Sequence, residues 1–422
     1  MFPRSHSYLA GLLLVAYALW SAWRYWDAYA IDLAPLYIAG HFAANGEWHM
    51  IYGGEKLAFA VKNAPEWRGV LEAHGISGRS GSHYVYPPIW AYVVSPLTTV
   101  LDPQSFINYG RIVLAFCLSA SIWLAWLIFR SPCSPVLWVA LSLALMESTM
   151  PAVLSLELGQ PQLLVILLVL ASFERSMAGR DIQAGFFLGL AAAIKVSPIL
   201  LIVIFLADRR WKAACVAVAT SAGVAVASLL VAGTAPHFEF VAVVRWMDSL
   251  MPAVGLNFTF ETVAHDFLVS FTPCERCSDA RMGVGTPWVS TLSSALLLAS
   301  LGAAVVATRR IDPNWRLPIR LTLISMAILF FGPLSWMHYY TVLLLLAPGI
   351  LLMIDRRLAL LLGGVIWLGF SKFWMGMLLL SNTRFPYDTI YPQHTAILSV
   401  LAMLVATAIF ARTADNGTCK AS

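Results

Sequence analysis

The chain is 422 residues long, 59% hydrophobic and only 12% charged, with a mean hydropathy of +0.75. A soluble domain is about 45–50% apolar and about 25% charged, so too little polar material remains to cover a soluble globule, and a disordered chain or a nucleic-acid binder is excluded as well. The net charge of +5 does not call for an acidic partner, because basic residues in a membrane protein mainly record orientation.

What remains is an all-α, polytopic membrane helix bundle, one integral membrane domain over residues 1–422. A span takes roughly 20 mostly apolar residues. The first is expected at 8–23, uncleaved, because it lacks a small-residue cleavage site and runs into Tyr25-Trp26-Asp27. Residues 24–107 then form a long polar stretch. Within it 85–101 is apolar enough to pass for a span, yet Pro87, Pro88 and Pro96 fit a juxtamembrane or re-entrant helix better.

Further spans are expected near 108–129, 134–154, 160–173, 184–206, 213–233, 288–307, 318–331, 338–354, 357–379 and 394–411. Basic knots separate them: Arg130; Arg175 and Arg180; Arg209, Arg210 and Lys212; Arg309, Arg310 and Arg316; Arg356 and Arg357. Excess Lys and Arg in short loops marks the cytoplasmic side. If every knot is cytoplasmic, both termini lie inside, and the stretches 24–107 and 234–287 are the two extracytoplasmic loops. Residues 182–206 have basic knots at both ends, which a single crossing cannot satisfy. With Lys195-Val-Ser-Pro198 at their middle they are expected to form a hairpin of two short helices, Lys195 lifted toward the outer face. The segments around Gly332–Tyr340 make a similar pair, for about twelve helices in all, several of them short. Broken helices are tolerated only where protein or water covers the freed backbone, so a cavity opening outward is expected, with irregular packing and no site as the plainer alternative. No strong internal repeat is visible, which counts against a transporter.

Of six cysteines, Cys274 and Cys277 fall in the second outer loop, where a small disulfide is expected over a zinc knuckle, since no second Cys-x-x-Cys exists. Cys117, Cys133 and Cys215 sit in or beside spans and read as packing residues.

The polar residues of the outer side gather at four turns. Asp27 and Asp32 follow the first span. Asp27 reads equally well as a solvated boundary residue. Asp32 opens a helical pattern (Leu33, Leu36, Tyr37, Gly40) and so sits near an N-cap, where partial desolvation would raise its pKa toward that of a useful general base. Gln160, in Leu158-Gly159-Gln160-Pro161-Gln162, is a candidate hydrogen-bonding group, with Glu147 and Glu157 nearby on a common rim. Lys195 suits a lipid phosphate, a snorkelling lysine being the alternative. His338 lies at a further turn and is expected to converge with the acid and the lysine. The first outer loop is rich in aromatics (Tyr52, Trp67, Tyr84, Tyr86, Trp90, Tyr92) that serve equally as an interface belt or as sugar-stacking platforms. No Walker loop, GxGxxG, HExxH or GxSxG occurs.

An acid after the first span followed by Tyr37-x-Ala39-Gly40 and Gly46-Glu47-x-x-x-x-Tyr52, then Tyr86-Pro87-Pro88 and Ser95-Pro96-Leu97, resembles the polyprenyl-phosphate-sugar-dependent glycosyltransferases of the C-type (GT-C) superfamily. Gly159-Gln160, Gly185-x-x-x-Gly189 leading to Ile194-Lys195-x-x-Pro198, and Ser335-Trp336-x-His338-Tyr339 narrow the resemblance to family 87, which includes mycobacterial mannosyltransferases and related arabinofuranosyltransferases. The resemblance implies a bacterial inner-membrane enzyme with a periplasmic active site. Its donor would be a sugar on a polyprenyl phosphate, mannose foremost, its acceptor a lipid or glycan, and its product inverted at the anomeric carbon. Carried onto this chain, Asp32 matches the catalytic base and His338 an active-site histidine beside it. Lys195 and Gln160 match positions near the donor phosphate, and Tyr37, Tyr86 and Tyr339 fall in the same motifs as substrate-binding positions. Residues 234–287 follow no family pattern.

The residue chemistry agrees. Transfer from a lipid phosphate needs one base for the acceptor hydroxyl and no strong general acid, because phosphate leaves as a stable anion. Cations near it stabilise the developing charge. No metal or other cofactor is expected, since no Asp-x-Asp of the kind that serves nucleotide-sugar donors occurs. A transporter or flippase of lipid-linked sugar, and a non-catalytic scaffold of membrane assembly, are the competing readings.

Overall fold

A computed structural model describes residues 3–53, 65–79, 82–129, 133–252, 257–270, 282–284, 287–382 and 392–415. Among these run nineteen α-helices. The first is α1 (Arg4–Arg24), followed by three that cap one end of the bundle, α2 (Ala34–Ala44), α3 (Pro65–Glu72) and α4 (Pro88–Thr98). Then come α5 (Pro103–Phe129), α6 (Pro135–Ser148), α7 (Met150–Glu157), α8 (Gln162–Met177), α9 (Asp181–Ile194), α10 (Ile202–Ala207) and α11 (Trp211–Ala232). The remainder are α12 (Ala235–Ser249), α13 (Phe260–Ser270), α14 (Pro287–Ala307), α15 (Pro313–Phe331), α16 (Thr341–Leu351), α17 (Arg356–Phe370), α18 (Lys372–Asn382) and α19 (Pro392–Asp415). One antiparallel ribbon, β1 (Leu250–Pro252) with β2 (Met282–Val284), interrupts the helical pattern. Cys274 and Cys277 lie outside the described residues.

The fold is thus an all-α integral membrane bundle. Four described helices (α5, α11, α14 and most of α19) are long and apolar enough to cross a bilayer; α7 and α8, bent by 120° at their junction, make a fifth if counted together. Helices outnumber the dozen expected because the end cap adds its own and because several spans are broken. Thr149 is extended (φ −115°, ψ 143°) between α6 and α7, and Ser371 is extended between α17 and α18. The two breaks face each other as an antiparallel bridge, so each satisfies backbone groups the other frees, the condition for breaking a helix in an apolar medium.

The described basic loops, around Arg175 and Arg180, Arg209 and Arg210, Arg309 and Arg310, and Arg356 and Arg357, lie at one end. The expected hairpin is present: α9 leaves that end and α10 returns to it, with Arg210 Nη1 donating to Asp181 Oδ1 at 2.8 Å. Buried Arg320 on α15 reaches Asp208 Oδ1 at 2.5 Å and donates from Nε to Thr308 Oγ1 at 2.8 Å. Trp315 meets Phe410, and Phe129 lies against Gly349 so closely that a Cβ there would overlap its ring. Ser119 Oγ on α5 donates to Leu14 O while Arg111 reaches Tyr25 O, so α1 is antiparallel to α5 and also starts at the basic end. Side-chain caps at Ser134, Asp312 and Asp355 begin α6, α15 and α17 there, accepting backbone N–H groups that have no partner within the helix.

The opposite end is covered by α2 and α4 with Trp67 of α3, around a second apolar cluster of Tyr37, Ile38, Phe42, Trp67, Leu71, Tyr84 and Phe106. Gly40 lets α2 sit against α4: a Cβ there would come within 2.7 Å of Val94. Cys117 is buried, Cys133 half-buried and Cys215 exposed on the bundle surface.

Candidate active site

Asp32 lies in the turn between α1 and α2. It does not cap α2, whose N-cap is Leu33 and receives no side-chain bond. Its backbone N–H instead donates to Leu158 O at 3.1 Å, which joins this turn to the one after α7. Two glycines make that junction possible. Leu33 is wedged between Gly110 and Gly159, whose Cβ atoms, if present, would stand 3.0 and 2.8 Å from its Cδ1, and Gly159 holds φ +68°. Only a residue without a Cβ satisfies both demands at Gly159.

The consequence is that Gln160 Nε2 donates directly to Asp32 Oδ2. Ser82, whose N–H donates to Ile31 O at 3.0 Å, adds a side-chain hydrogen bond to the same carboxylate. Burial in this protein-lined turn dominates over both bonds and over the attraction of Lys195, and pushes the Asp32 carboxyl up to about 6.

Lys195 caps the C-terminal end of α9 at the tip of the hairpin. Gly185 and Gly189 set the height and tilt of that helix: Cβ atoms there would come within 2.3 Å of Ala213 O and 2.5 Å of Ala217 O, so α9 and α11 touch backbone to backbone. Trp90 Nε1 of α4 donates to Ala193 O at 3.0 Å, taking a carbonyl near the helix break. Lys195 Nζ donates to Gln162 Oε1 at 3.2 Å and stands 3.2 Å above the ring centroid of Tyr339, a cation–π contact made strong by its shelter from water. Its charge acts on Asp32 from one side and on His338 from the other.

His338 is 4% exposed, edge-on to Tyr339 at 4.6 Å, and its Nε2 meets no hydrogen-bonding partner among the described residues. Its turn is held by residues that lie in the stretch the sequence left uninterpreted. Asn257 Oδ1 accepts from Ser335 N–H at 3.0 Å, Phe258 N–H donates to Ser335 O at 2.8 Å, and Tyr340 Oη donates to Phe258 O at 2.7 Å.

Asp32, Gln160, Lys195, His338 and Tyr339 therefore converge, with Tyr86 and Tyr29 within electrostatic reach of the carboxylate. Tyr37 does not join them: its Oη donates to Leu101 O at 3.0 Å and its ring packs on Phe106. Glu147 is tied to Tyr17 at 2.9 Å and Arg24 at 3.0 Å on the outer flank of α1. Gln160 faces the carboxylate, and Gln162 is the glutamine next to Lys195. Below Tyr339 and Gln162 a narrow apolar crevice of about 60 Å³ runs between α8, α15 and α16 along Val165, Ile166, Val169, Leu201, Ile328, Leu329 and Val342. A larger open groove, about 550 Å³, lies at the basic end beside Arg175, Arg180, Phe186 and Phe187; converging polar groups, not volume, mark the site. No three His, Cys, Asp or Glu side chains gather to hold a metal among the described residues.

A half-buried acid of raised pKa, a half-buried ammonium and an imidazole whose Nε2 meets no partner among the described residues, at one end of a membrane bundle, agree with the sequence comparison. The profile of glycosyltransferase family 87 matches residues 84–326. The chain belongs to glycosyltransferase family 87. No curated protein matches it. The profile covers the hairpin carrying Lys195 and the Gly159-Gln160 turn, whereas Asp32 and His338 lie on either side of the match. As a family-87 glycosyltransferase the protein uses a sugar donor and an acceptor at the membrane. The sequence carries no sign of the roles of Ser82, Asn257 and Gly110, and it offers Trp90 only as a belt or stacking aromatic; each acts through a partner distant in the chain.

Proposed function

We propose that the protein is an inverting glycosyltransferase that moves a sugar, with mannose the favoured one, from a polyprenyl-phosphate donor to a lipid or glycan hydroxyl on the periplasmic side of a bacterial inner membrane. The observation that carries this reading is the convergence of a base of pKa about 6 with the Lys195 ammonium, at the end of the bundle opposite the described basic loops. Basic loops mark the cytoplasm, which supports a site on the outer side and termini on the inner one.

In the reaction Asp32 accepts the proton of the acceptor hydroxyl as its oxygen bonds to the anomeric carbon from the face opposite the phosphate. The bond from that carbon to the phosphate oxygen breaks, and the polyprenyl phosphate leaves with the electron pair. Lys195 and His338 stand where that negative charge grows. Asp32 then releases its proton to water. Two dimensions support a lipid donor. The 14 residues of α9 rise about 21 Å, less than the ~30 Å of a bilayer core, which favours a Lys195 held just under the outer headgroups, within reach of a lipid phosphate. The crevice beside Gln162 and Tyr339 is apolar and, at about 60 Å³, admits the first few carbons of an isoprenoid tail.

The test is incubation of purified protein with radiolabelled polyprenyl-phosphate mannose and a lipid extract, with Asp32→Asn as control. Transfer by the wild type that disappears in the variant supports the assignment. No transfer from any common polyprenyl-phosphate sugar, or transfer undiminished in Asp32→Asn, overturns it. Of these two, the first outcome is the one expected of a transporter, and the second would leave a transferase with a different base.

A further inference from the structure

We infer that Arg111 is a positioning residue for Asp32, the head of a polar rack on α5 that holds the base-bearing turn against the Gln160 turn. The inference rests on the reading of Asp32 as the base.

Gln104, Asn108 and Arg111 recur at intervals of four and three, so they share one face of α5. All three are spent on the segment between α1 and Asp32. Gln104 Nε2 donates to Ala28 O at 3.3 Å and to Asn108 Oδ1 at 3.1 Å. Asn108 exchanges two bonds with Asp27, accepting from its N–H at 3.1 Å and donating to its Oδ1 at 3.0 Å. That clamp holds Asp27 at φ +60°, a left-handed conformation a side chain adopts only where its surroundings impose it.

Arg111 is 2% exposed and hydrogen-bonds to no carboxylate among the described residues, the Glu157 carboxylate acting on it only through its charge. Nη1 donates to Tyr25 O at 2.6 Å and to Ala28 O; Nη2 donates to Tyr29 O at 3.2 Å and to Glu157 O at 2.8 Å. Three of these carbonyls belong to the segment that delivers Asp32, and the fourth to the helix end that delivers Gln160. One planar guanidinium therefore fixes the separation of two turns whose side chains must meet. A lysine cannot present donors in that fork. A cation buried without a counter-ion is costly, and here four carbonyl dipoles take the place of one.

The groups facing Asp32 are Gln160, Ser82, Lys195, Tyr29 with Arg79 over its ring, Tyr86 and Tyr339. Arg111 touches one of them, Tyr29, and only at its backbone carbonyl, so changing it takes no side chain or charge away from the carboxylate. Loosening the rack should let water reach the carboxylate and lower its titration midpoint from about 6 toward the ordinary carboxylate value.

The test compares Arg111→Gln, Arg111→Lys, Asn108→Ala, Asp32→Asn and the double variant Asp32→Asn/Arg111→Gln in the full-length protein. The carboxyl band of Asp32, taken as the infrared difference against Asp32→Asn, is titrated without turnover. Transfer kinetics are measured alongside. Expected is a midpoint lower by about one unit in Arg111→Gln and Asn108→Ala, kcat reduced about tenfold or more with donor KM held within about twofold, little rescue by Arg111→Lys, and no further loss when Arg111→Gln is added to Asp32→Asn. A structural role alone would lower the active fraction and leave the midpoint in place. An unshifted midpoint in both rack variants, or losses that multiply in the double variant, overturns the inference. If Arg111→Gln fails to fold, Asn108→Ala decides it. If Asp32→Asn keeps full turnover, the base assignment falls while the infrared titration still decides the rack.

Discussion

The side-chain amide of Gln160 donates to Oδ2 of Asp32 although 128 residues separate them along the chain. That bond, the Ser82 bond and the Lys195 charge all favour the ionised carboxylate, and burial still outweighs them. A base must be deprotonated to work, so kcat/KM for transfer should rise about tenfold per pH unit below a midpoint near 6 and level off above it. A flat profile between pH values of about 5 and 7 would remove Asp32 from the chemistry.

The same raised pKa costs stability at neutral pH. The folded protein holds the Asp32 proton more tightly than the unfolded chain, whose carboxyl titrates at 3.8. Between the two values the native state binds more protons, so stability falls as pH rises through that window. The loss at neutral pH is at most about 3 kcal/mol. Asp32→Asn should therefore melt higher than wild type at neutral pH and show no gain near pH 4, while transferring sugar about 10²–10⁴-fold more slowly. Thermal melts in detergent at both pH values check this, and a variant less stable than wild type at neutral pH would contradict it.

Lys195 acts on two neighbours, and its removal should read out on both. Without its charge the Asp32 carboxylate loses an attraction, so in Lys195→Met the acid limb of the pH profile should move above 6. The donor should bind about 10–100-fold more weakly as a phosphate contact is lost. His338→Ala should lower kcat more than it raises donor KM, because an imidazole whose Nε2 has no partner among the described residues gains one only with substrate bound. Kinetics against donor concentration at several pH values separate the two variants; equal effects on KM would mean that both side chains merely hold the lipid.

Much of this was legible in the sequence because it depends on composition and charge. Pro198 with Lys195 foretold the hairpin, since a helix with cations at both ends and a break at its centre has to turn back. Asp32, Lys195 and His338 could be picked out because polar groups at outer turns are costly unless used. Tyr37 was misleading for a physical reason: it shares a motif with Gly40, and the motif serves the packing of α2 on α4. The rack on α5 was also written in the sequence as a spacing of four and three. It went unseen because its partners are backbone carbonyls, which carry no residue signature. Asn257 was invisible for the same reason, its role being to accept one N–H from Ser335.

Two glycines with nearly the same backbone angle should behave differently when given a methyl group. Gly159 (φ +68°) joins the Asp32 and Gln160 turns, and a Cβ there would come within 3 Å of Leu33 and Ala30. Gly179 (φ +73°), in the turn between α8 and α9 at the basic end, has nothing within 4 Å of the same position. Both alanines incur the left-handed backbone penalty of about 1 kcal/mol. Only Gly159→Ala must also push Leu33 away, which adds about 1–3 kcal/mol and moves Asp32 relative to Gln160. Gly179→Ala should thus lose a little stability and no activity, while Gly159→Ala should lose about 2–4 kcal/mol and most of its turnover at temperatures where it is still folded. Melting curves paired with initial rates test the pair. Equal activity in the two variants would show that the contact between the turns does not govern catalysis.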